Sequence, residues 1–257
     1  MSNIASEQRS PRVLSFDLTG KRVVVVGGKR AIGLGVAQAA HAMGAVVTVA
    51  SRSDVSADQR PELAAFERVV LDMRSEATVQ EAFEAIGQFD HLVVTAGPEL
   101  GSWGSFMDPD MQGVRSYFEG KFLGTWACAR HAAPHIAPGG SMTFLTGGIG
   151  VRAKLGLAAV TSTFAAVDYL AQSLALELAP IRANTIRPGF IDTEFWDVLP
   201  AEQVEIIRAK VRATFPARRI GTSADVGHAA VFLMTNPYVT GTVLEVSGGE
   251  LLVDWLF

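Results

Sequence analysis

The chain has 257 residues, of which 19% are charged and 49% are hydrophobic, and its formal net charge at pH 7 is −4. A bilayer-spanning helix needs about 20 consecutive apolar residues, and the sequence has no such run, so we expect a soluble globular protein without a membrane span. The negative net charge is not offset by any basic block, which argues against nucleic-acid binding.

The length and the cysteine content suggest one domain in a reducing compartment. A chain of this length can bury a large single core. Cys128 is the only cysteine, which excludes an intrachain disulfide, and the first residues, "MSNIASEQRSPR", lack the apolar core of a secretion signal. We therefore expect a cytoplasmic protein with a flexible tail over residues 1–12 and a single domain over residues 13–257.

Short apolar, β-branched runs alternate with alanine-rich segments of helix length along the chain. The predicted strands are "KRVVVVGG", "AVVTVASR", "FERVVLDM", "DHLVVTAG", "GSMTFLTGG", "IRANTIRPG" and "GTVLEVSGG". The predicted helices lie near residues 31–43, 75–87, 112–136, 158–179 and 223–234. Continuous apolar runs are typical of strands buried on both faces, and strand–helix alternation predicts an α/β fold with a single doubly wound parallel sheet. In such sheets, ligands bind beyond the carboxyl ends of the strands.

A long segment separates the sixth and seventh predicted strands. Residues 194–216, "EFWDVLPAEQVEIIRAKVRATFP", would overhang the carboxyl ends of the strands, and we interpret them as a substrate lid. The aromatic residues Trp103, Phe190, Phe195 and Trp196 suggest an apolar or aromatic pocket.

The first strand is followed by "GGKRAIGLG", which places Gly27, Gly28, Gly33 and Gly35 where the chain turns into a helix. Glycines at such a turn let the backbone approach a pyrophosphate and let the helix N-terminus receive its charge. A tight strand–helix turn also uses glycine for packing alone, but the position within a strand–helix–strand unit favours a dinucleotide site.

The end of the second predicted strand indicates which dinucleotide is preferred. A site for a free ribose would have an acidic residue there, whereas this chain has Ser51 and Arg52, with Lys29 and Arg30 at the same edge. Guanidinium and ammonium groups suit a 2′-phosphate. The alternative is that these cations are solvated loop residues. We predict NADP(H) as the cofactor.

These motifs resemble the short-chain dehydrogenase/reductase family from "FDLTGKRVVVVGG" to "VTGTVLEVSGG". The resemblance implies a Rossmann-type fold, adenine contacts at Asp72 and Met73, and a role for "TAG" at 95–97, for "RPGFIDT" at 187–193 and for Ser247–Gly249. The cofactor-binding residues that follow from the turn and from the resemblance are Gly27, Lys29, Arg30, Ile32, Gly33, Ser51, Arg52, Asp72, Met73, Ala96, Gly97, Pro188, Gly189, Ile191 and Thr193. The last four would hold the nicotinamide carboxamide. The chain departs from the family at Val26, Ala31 and Val94–Thr95.

The resemblance also locates the positions of the family's catalytic residues. The family uses a tyrosine acid, a lysine one helical turn later, a serine that holds the substrate oxygen and an asparagine. Alignment from "LALELAP" and "RPGFIDT" places Val160 at the tyrosine, Phe164 at the lysine, Gly147 at the serine and Lys121 at the asparagine. All four are changed.

The helix that would carry the tyrosine and the lysine supports this alignment independently. Its apolar residues recur at spacings of four and three, as expected for one unbroken apolar face; they are Val160, Phe164, Val167, Ala171, Leu174 and Leu178.

Other polar residues were considered as replacements for the missing acid. Lys121 is the candidate catalytic residue, because its flexible stem could carry a cation toward the space that the family's lysine would occupy; the alternative is a lysine that extends to solvent. Tyr117 lies one turn before Lys121, and Tyr169 is out of phase with Val160 and suits packing or an interface.

Two pairs of basic residues suggest weaker sites. Arg152 and Lys154 could attract an anionic substrate or remain solvated. His131 and His135 have metal-ligand spacing, but no third ligand is evident, and we interpret them as cations near a helix C-terminus, so we expect no metal.

Three functions remain open from the sequence. The first is an atypical NADP(H)-dependent oxidoreductase for a small apolar or aromatic substrate, with an activated C=C or C=N bond favoured over a simple ketone. The second is a non-catalytic NADP(H)-binding sensor or inert partner subunit, and the third is a non-redox isomerase or dehydratase. The apolar helix faces and the segment "LLVDWLF" predict a homotetramer or a homodimer.

Overall fold

A computed structural model of the chain describes residues 16–53, 60–97, 104–108 and 110–254. The tail predicted over residues 1–12 and Trp103 of the predicted pocket lie outside these residues. The strands are β1 (Arg22–Val26), β2 (Val46–Ser51), β3 (Glu67–Val70), β4 (Phe89–Val94), β5 (Ile136–Leu145), β6 (Arg182–Pro188) and β7 (Val243–Val246). The helices are α1 (Ala31–Ala42), α2 (Glu76–Ile86), α3 (Met111–Phe118), α4 (Gly124–Ala132), α5 (Ala158–Glu177), α6 (Ala201–Thr214) and α7 (Ser223–Thr235).

The seven strands form one parallel sheet in the order β3-β2-β1-β4-β5-β6-β7. The central register places Val24 of β1 between Thr48 of β2 and Leu92 of β4. The strand order reverses between β1 and β4, and such a reversal opens a crevice at the carboxyl ends of the strands. The predicted α/β fold with a doubly wound parallel sheet is therefore confirmed.

The core consists of two apolar layers, one on each face of the sheet. Successive strand residues point to opposite faces, so Val25 belongs to the layer shared with α1 and α7, and Val24 belongs to the layer shared with α2, α4 and α5. Val23 to Val26 are at most 1% exposed. This burial on both faces explains why β1 is a continuous apolar run in the sequence.

The helix predicted over residues 112–136 is present, but its hydrogen-bond pattern changes along its length. The structure divides it into α3, a π-helical turn over Glu119–Leu123, α4 and a 3₁₀ turn over Ala133–His135. Pro134 has no N–H to donate, which ends the α-helical hydrogen-bond pattern there. The π-helical turn surrounds Lys121, and such turns are frequent at functional sites.

The segment over residues 194–216 contains helical structure that the sequence pattern did not indicate. A 3₁₀ turn over Glu194–Val198 is followed by α6, and both pack near the loop after β6. Within the described residues, no helix is long and apolar enough to cross a membrane.

Candidate cofactor and substrate site

The turn between β1 and α1 packs tightly against the end of β4. Gly27 has a φ of +87°, and a Cβ on it would lie 2.7 Å from the backbone nitrogen of Ala96. A Cβ on Gly33 would lie 2.2 Å from the carbonyl oxygen of Gly27. Only glycine fits both positions, because the two backbones are in contact. The predicted glycine turn therefore borders the crevice at the strand-order reversal.

The N-terminus of α1 has the properties of an anion site. Its N-cap, Arg30, makes no side-chain capping hydrogen bond, and the first turn, which includes Ile32, has no acidic residue. The first N–H groups of a helix have no intrahelical partner and carry partial positive charge. Ala31 has a φ of +49°, a backbone conformation that favours glycine. The family resemblance also implies a glycine at this position.

Four cations gather beside this turn. The Lys29 ammonium donates to the Ser53 hydroxyl at 2.7 Å. Partial burial and the charges of Arg30, Arg52 and Arg60 lower the pKa of Lys29. The structure thus brings the three predicted cations together and adds Arg60, which no motif in the sequence indicated.

The ends of β2 and β3 carry the other residues that are predicted to contact the adenosine half of the dinucleotide. The Ser51 hydroxyl donates to the Ser53 carbonyl at 2.9 Å. The Asp72 carboxylate accepts from the backbone N–H of Arg74 at 3.0 Å, and Met73 is buried. Ser51 ends β2 and Asp72 follows β3, and these strands are neighbours in the sheet.

Lys121 is buried directly beneath the end of β4. Its side chain donates to the Ala96 carbonyl at 2.9 Å, and the residue is 4% exposed. A Cβ on Gly97 would lie 3.4 Å from Lys121 Cδ. Burial lowers the pKa of Lys121 to about 8, although Cys128 and Asp168 act in the opposite direction. A lysine that extends to solvent is therefore excluded in this structure.

The four positions aligned with the family's catalytic residues lie together. The Lys121 ammonium is 6.0 Å from the centroid of the Phe164 ring. A Cβ on Gly147 would lie 3.0 Å from Phe164 Cε2. Val160 and Phe164 share an apolar cluster with Tyr117. The aromatic ring thus lies against the glycine, in the position that the resemblance assigns to a lysine.

This apolar cluster also includes Leu157 and Ile149. Tyr117, the alternative acid on α3, is 5% exposed, and burial raises its pKa to about 12. A hydroxyl with that pKa is a poor proton donor near neutral pH. Tyr169 is 70% exposed, so it does not pack within the described part of the chain.

A buried polar network, which the sequence did not indicate, lies at the ends of the central strands. Arg187 donates to the Asp168 carboxylate from Nε at 3.0 Å and from a terminal nitrogen at 2.7 Å. Thr146 donates to the same carboxylate at 2.9 Å, and Arg187 also bonds Glu245 at 2.9 Å. The network connects β5, α5, β6 and β7. Asp168 and Arg187 are 19 residues apart in the sequence, so no local motif indicates that they form a pair.

The residues predicted to hold the nicotinamide follow β6 in an ordered loop. The backbone N–H of Gly189 donates to the Val246 carbonyl at 3.1 Å. Ile191 pairs with Gly221 in an isolated parallel bridge and is 4% exposed. Pro188 ends β6, and Thr193 directly precedes the 3₁₀ turn.

The aromatic residues after β6 pack mainly with one another. Phe190 is 3% exposed and stacks on Trp196, with ring centroids 4.6 Å apart. Val211 and Phe215, in and just after α6, complete this cluster. Phe190 therefore anchors the predicted lid rather than lining an open pocket, whereas Phe195 is 43% exposed.

Arg152 does not face an open anion site. It donates to the Leu251 carbonyl at 3.2 Å and to the Val253 carbonyl at 2.7 Å, and it pairs with the Asp254 carboxylate. These bonds hold residues 250–254, which we call the C-terminal strap, against the loop after β5. Arg152 is therefore engaged by the strap, and its attraction of an anionic substrate stays a prediction.

His131 pairs with α2. Its Nε2 lies 2.9 Å from the Glu76 carboxylate. Among the described residues, no group of three or more His, Cys, Asp or Glu side chains is arranged to hold a metal ion. Cys128 is buried and unbonded to another cysteine.

A parallel sheet with a glycine turn at its strand-order reversal defines the Rossmann-type class of nucleotide-binding folds. The family model described as enoyl-(acyl carrier protein) reductase matches residues 26–250. A short-chain dehydrogenase/reductase of Acremonium sp is 31% identical, over 91% of this chain and 97% of that protein. A 3-oxoacyl-[acyl-carrier-protein] reductase of Rattus norvegicus is also 31% identical, over 89% of this chain and 97% of that protein. The chain belongs to the short-chain dehydrogenase/reductase family of oxidoreductases, which bind a nicotinamide cofactor.

Solved structures agree with this assignment. A small-chain dehydrogenase in complex with NADPH has a TM-score of 0.79 and 31% identity, covering 91% of this chain and 99% of that chain. A short-chain type dehydrogenase/reductase from Mycobacterium ulcerans has a TM-score of 0.83 and 28% identity, covering 92% and 91% of the two chains.

The contact between Gly147 and Phe164 predicts the effect of restoring a serine. Gly147→Ser should lower the free energy of unfolding by about 1–2 kcal/mol, because the new side chain meets the aromatic ring in a packed site. In a Phe164→Ala background, Gly147→Ser should lower the free energy of unfolding much less. Urea denaturation of the two single variants and the double variant measures this coupling. Equal costs of Gly147→Ser in both backgrounds would contradict the assigned contact.

Proposed function

We propose that this protein is an atypical NADP(H)-dependent reductase that acts on an activated C=C or C=N bond of a small apolar or aromatic substrate. The observation that carries the proposal is the position of Lys121. Its ammonium is buried at the end of β4, where the crevice opens, while Gly147, Val160 and Phe164 form an apolar surface beside it. The site thus keeps one cation but no tyrosine at the aligned position.

The residues present fit NADP(H). The α1 N-terminus has no acidic residue in its first turn and is suited to a pyrophosphate. Lys29, Arg30 and Arg52 gather where a 2′-phosphate would extend from the ribose, and Arg60 adds to them. A dehydrogenase of similar structure was solved with NADPH, which also supports this cofactor.

The nicotinamide half would be held by the loop after β6, through Pro188, Gly189, Ile191 and Thr193. When bound, the reduced cofactor supplies a hydride. Lys121 would hydrogen-bond to its ribose or to a substrate oxygen, and residues 194–216 would close over the crevice as a lid, with Phe190 as their apolar anchor.

The apolar surface determines which bonds this chain can reduce. Hydride addition to a simple ketone creates an alkoxide that needs a proton and a stabilising donor. An activated C=C or C=N bond places less negative charge on an oxygen beside Phe164 and Val160. A substrate of this class therefore suits a site in which the family's acid is replaced by packing residues.

A second candidate is a non-catalytic NADP(H)-binding sensor or inert partner subunit. The apolar cluster of Tyr117, Leu157 and Val160, with Ile149 and Phe164, favours this candidate, since packing residues occupy the positions aligned with the proton donor. NADPH oxidation with a panel of substrates separates the two candidates.

We also propose a homodimer or a homotetramer. Three large side chains on α4 and α5 support it, because Trp126, Tyr169 and Leu176 are 49%, 70% and 83% exposed. Such exposed side chains on neighbouring helices suit burial against a second copy of the chain.

The cation group predicts a preference between cofactors. Arg52→Ala should weaken NADPH binding about tenfold or more and leave NADH binding unchanged, because a charge-assisted hydrogen bond contributes about 1.5–3 kcal/mol. Calorimetric titration measures both affinities, and Arg130→Ala, an exposed cation on α4, is the control. Equal affinities of the wild-type protein for NADPH and NADH would refute the assignment.

The substrate class predicts a pattern of turnover. The wild-type protein should oxidise NADPH with an activated enone or an imine and should not turn over simple ketones, since general acid catalysis alone contributes about 10²–10⁴-fold. NADPH absorbance followed with a carbonyl, enone and imine panel tests this. Turnover near 10 s⁻¹ with a simple ketone would contradict the reductase proposal, and no turnover with any member would favour the non-catalytic candidate.

Lys121 predicts a pH dependence. Its pKa is lowered to about 8, so the ammonium is present below that pH and is lost as the pH rises through it. NADPH affinity, and any turnover, should therefore fall above pH 8. Lys121→Met keeps the stem without the charge and should weaken NADPH binding and remove this pH dependence. Unchanged affinity and turnover at an unchanged melting temperature would show that Lys121 has no functional role.

A further inference from the structure

The loop after β6 is bound on one side by a neighbouring backbone segment. The N–H of Asp192 donates to the Gly221 carbonyl at 2.9 Å, and Ile191 pairs with Gly221 in an isolated bridge. Gly221 in turn donates to the Phe190 carbonyl at 3.2 Å. These bonds use backbone groups, so the Asp192 carboxylate remains available for a second contact.

The Asp192 carboxylate makes this second contact with α6, in the predicted lid. One terminal nitrogen of Arg208 donates to it at 2.5 Å, and the other donates to the Glu205 carboxylate, also at 2.5 Å. Glu205 lies three residues earlier on the same helix, so it holds the guanidinium in place on α6. A guanidinium that bonds two carboxylates has a defined orientation. The ion pair therefore connects a fixed point of α6 to the loop after β6.

The other contacts between the lid and this loop set the position of α6 less closely. The Trp196 indole donates to the Ile191 carbonyl at 3.0 Å, but Trp196 belongs to the 3₁₀ turn before α6. Val211 and Phe215 pack in the apolar cluster of Phe190, and apolar packing is not directional. Among the ion pairs of the described residues, the one between Arg208 and Asp192 joins α6 to this loop.

The position of Asp192 in the chain gives this ion pair its meaning. Asp192 lies between Ile191 and Thr193, two of the residues that are proposed to hold the nicotinamide carboxamide. A movement of the Asp192 backbone would move both neighbours, because they are bonded to it. A side chain that fixes Asp192 therefore also fixes the loop that would face the nicotinamide.

We propose that Arg208 is a positioning residue for the nicotinamide half of the cofactor. Through Asp192, it holds the loop after β6 and helix α6 as one unit, so that nicotinamide binding and the docking of α6 favour each other. Such coupling is reciprocal. This inference rests on the proposed function and adds a residue of the lid that acts on the cofactor through another residue.

Two ligands separate the nicotinamide from the rest of the cofactor. 2′-Phospho-ADP-ribose has the pyrophosphate and the 2′-phosphate of NADPH but lacks the nicotinamide ring. In calorimetric titration, the wild-type protein should bind NADPH more tightly than 2′-phospho-ADP-ribose. Equal affinities of the wild-type protein for the two ligands would show that the loop does not hold the ring, and the proposal would be wrong.

Arg208→Met keeps the aliphatic stem and removes the cation. It should weaken NADPH binding about fivefold and leave 2′-phospho-ADP-ribose binding unchanged. Fivefold is the lower end of typical coupling between sites, and it is expected here because the Arg208 and Asp192 side chains are 29% and 44% exposed, so that solvent screens the pair. Equal weakening of both ligands, or of neither, would overturn the proposal.

Two further variants serve as a match and a control. Asp192→Asn should reproduce the effect of Arg208→Met, and the double variant should be no weaker than either single variant, because the two residues act through one contact. Arg212→Met removes an exposed cation one turn later on α6 and should change neither affinity. Additive losses in the double variant would contradict a role of Arg208 through Asp192.

Hydrogen exchange of the protein without cofactor tests the same contact independently of binding. In Arg208→Met, the backbone amides of residues 189–193 should exchange faster, because the loop has lost its connection to α6. The amides of residues 27–33, in the glycine turn, should exchange at the wild-type rate. Unchanged exchange at residues 189–193 would show that Arg208 does not hold the loop.

The proposed function and this inference can fail separately. If the wild-type protein binds neither ligand, the reductase proposal fails, and the exchange result alone decides whether Arg208 holds the loop. If the wild-type protein binds NADPH and Arg208→Met leaves that affinity unchanged, the reductase proposal stands and the positioning role is overturned.

Discussion

Backbone contact between Gly27 and Gly33 determines the geometry on which the site depends. The carbonyl of Gly27 occupies the space that a side chain on Gly33 would need, and Gly27 itself lies against the end of β4. This contact keeps α1 close to the strand-order reversal, so its first N–H groups face the crevice. A larger residue at either position would move the helix away and remove the surface proposed for a pyrophosphate. The cations that follow β1 and β2 lie close together beside this turn.

Near that crevice, a network of polar side chains and a cluster of apolar side chains are separate from each other. The network of Asp168, Arg187 and Thr146 satisfies its own charges beneath the strand ends, and it connects four elements of the fold. Phe164 and its neighbours form a separate apolar cluster. A charge at the boundary of such a region acts more strongly than one in solvent, because the local dielectric is low. Lys121 lies at this boundary, 6.0 Å from the centroid of the Phe164 ring.

Much of the fold could be predicted from the sequence, and the physical reason is burial. All seven strands were indicated, and the central strand β1 shows the reason, because a strand covered on both faces is continuously apolar. Helix α5 was indicated because its apolar residues recur at helical spacing. The π-helical turn around Lys121 was missed, because the apolar spacing that indicates a helix does not distinguish a π-helical turn from an α-helical one. Helix α6 was missed because its few buried residues, such as Val204 and Val211, are too far apart to stand out.

The site was predicted where chemistry follows local motifs and missed where it depends on long-range contacts. The turn with Gly27 and the cations near Arg52 are motifs within one strand–helix–strand unit, and the structure brings them together. Arg60 belongs to no motif, and its position depends on how separate segments pack. The hydrogen bonds of Arg152 to the strap could not be predicted, because a loop cation looks the same in a sequence whether it faces solvent or another segment.

The fit of Phe164 against Gly147 has a consequence for how this protein can change over generations. A serine regained at 147 would meet the aromatic ring, and a lysine regained at 164 would lose the packing of the apolar cluster and have to be buried beside Val160. Each single step back toward the family's usual residues lowers stability before it restores any chemistry. Return to a serine at 147 and a lysine at 164 therefore requires several coordinated substitutions, whereas substitutions at other positions do not meet this barrier.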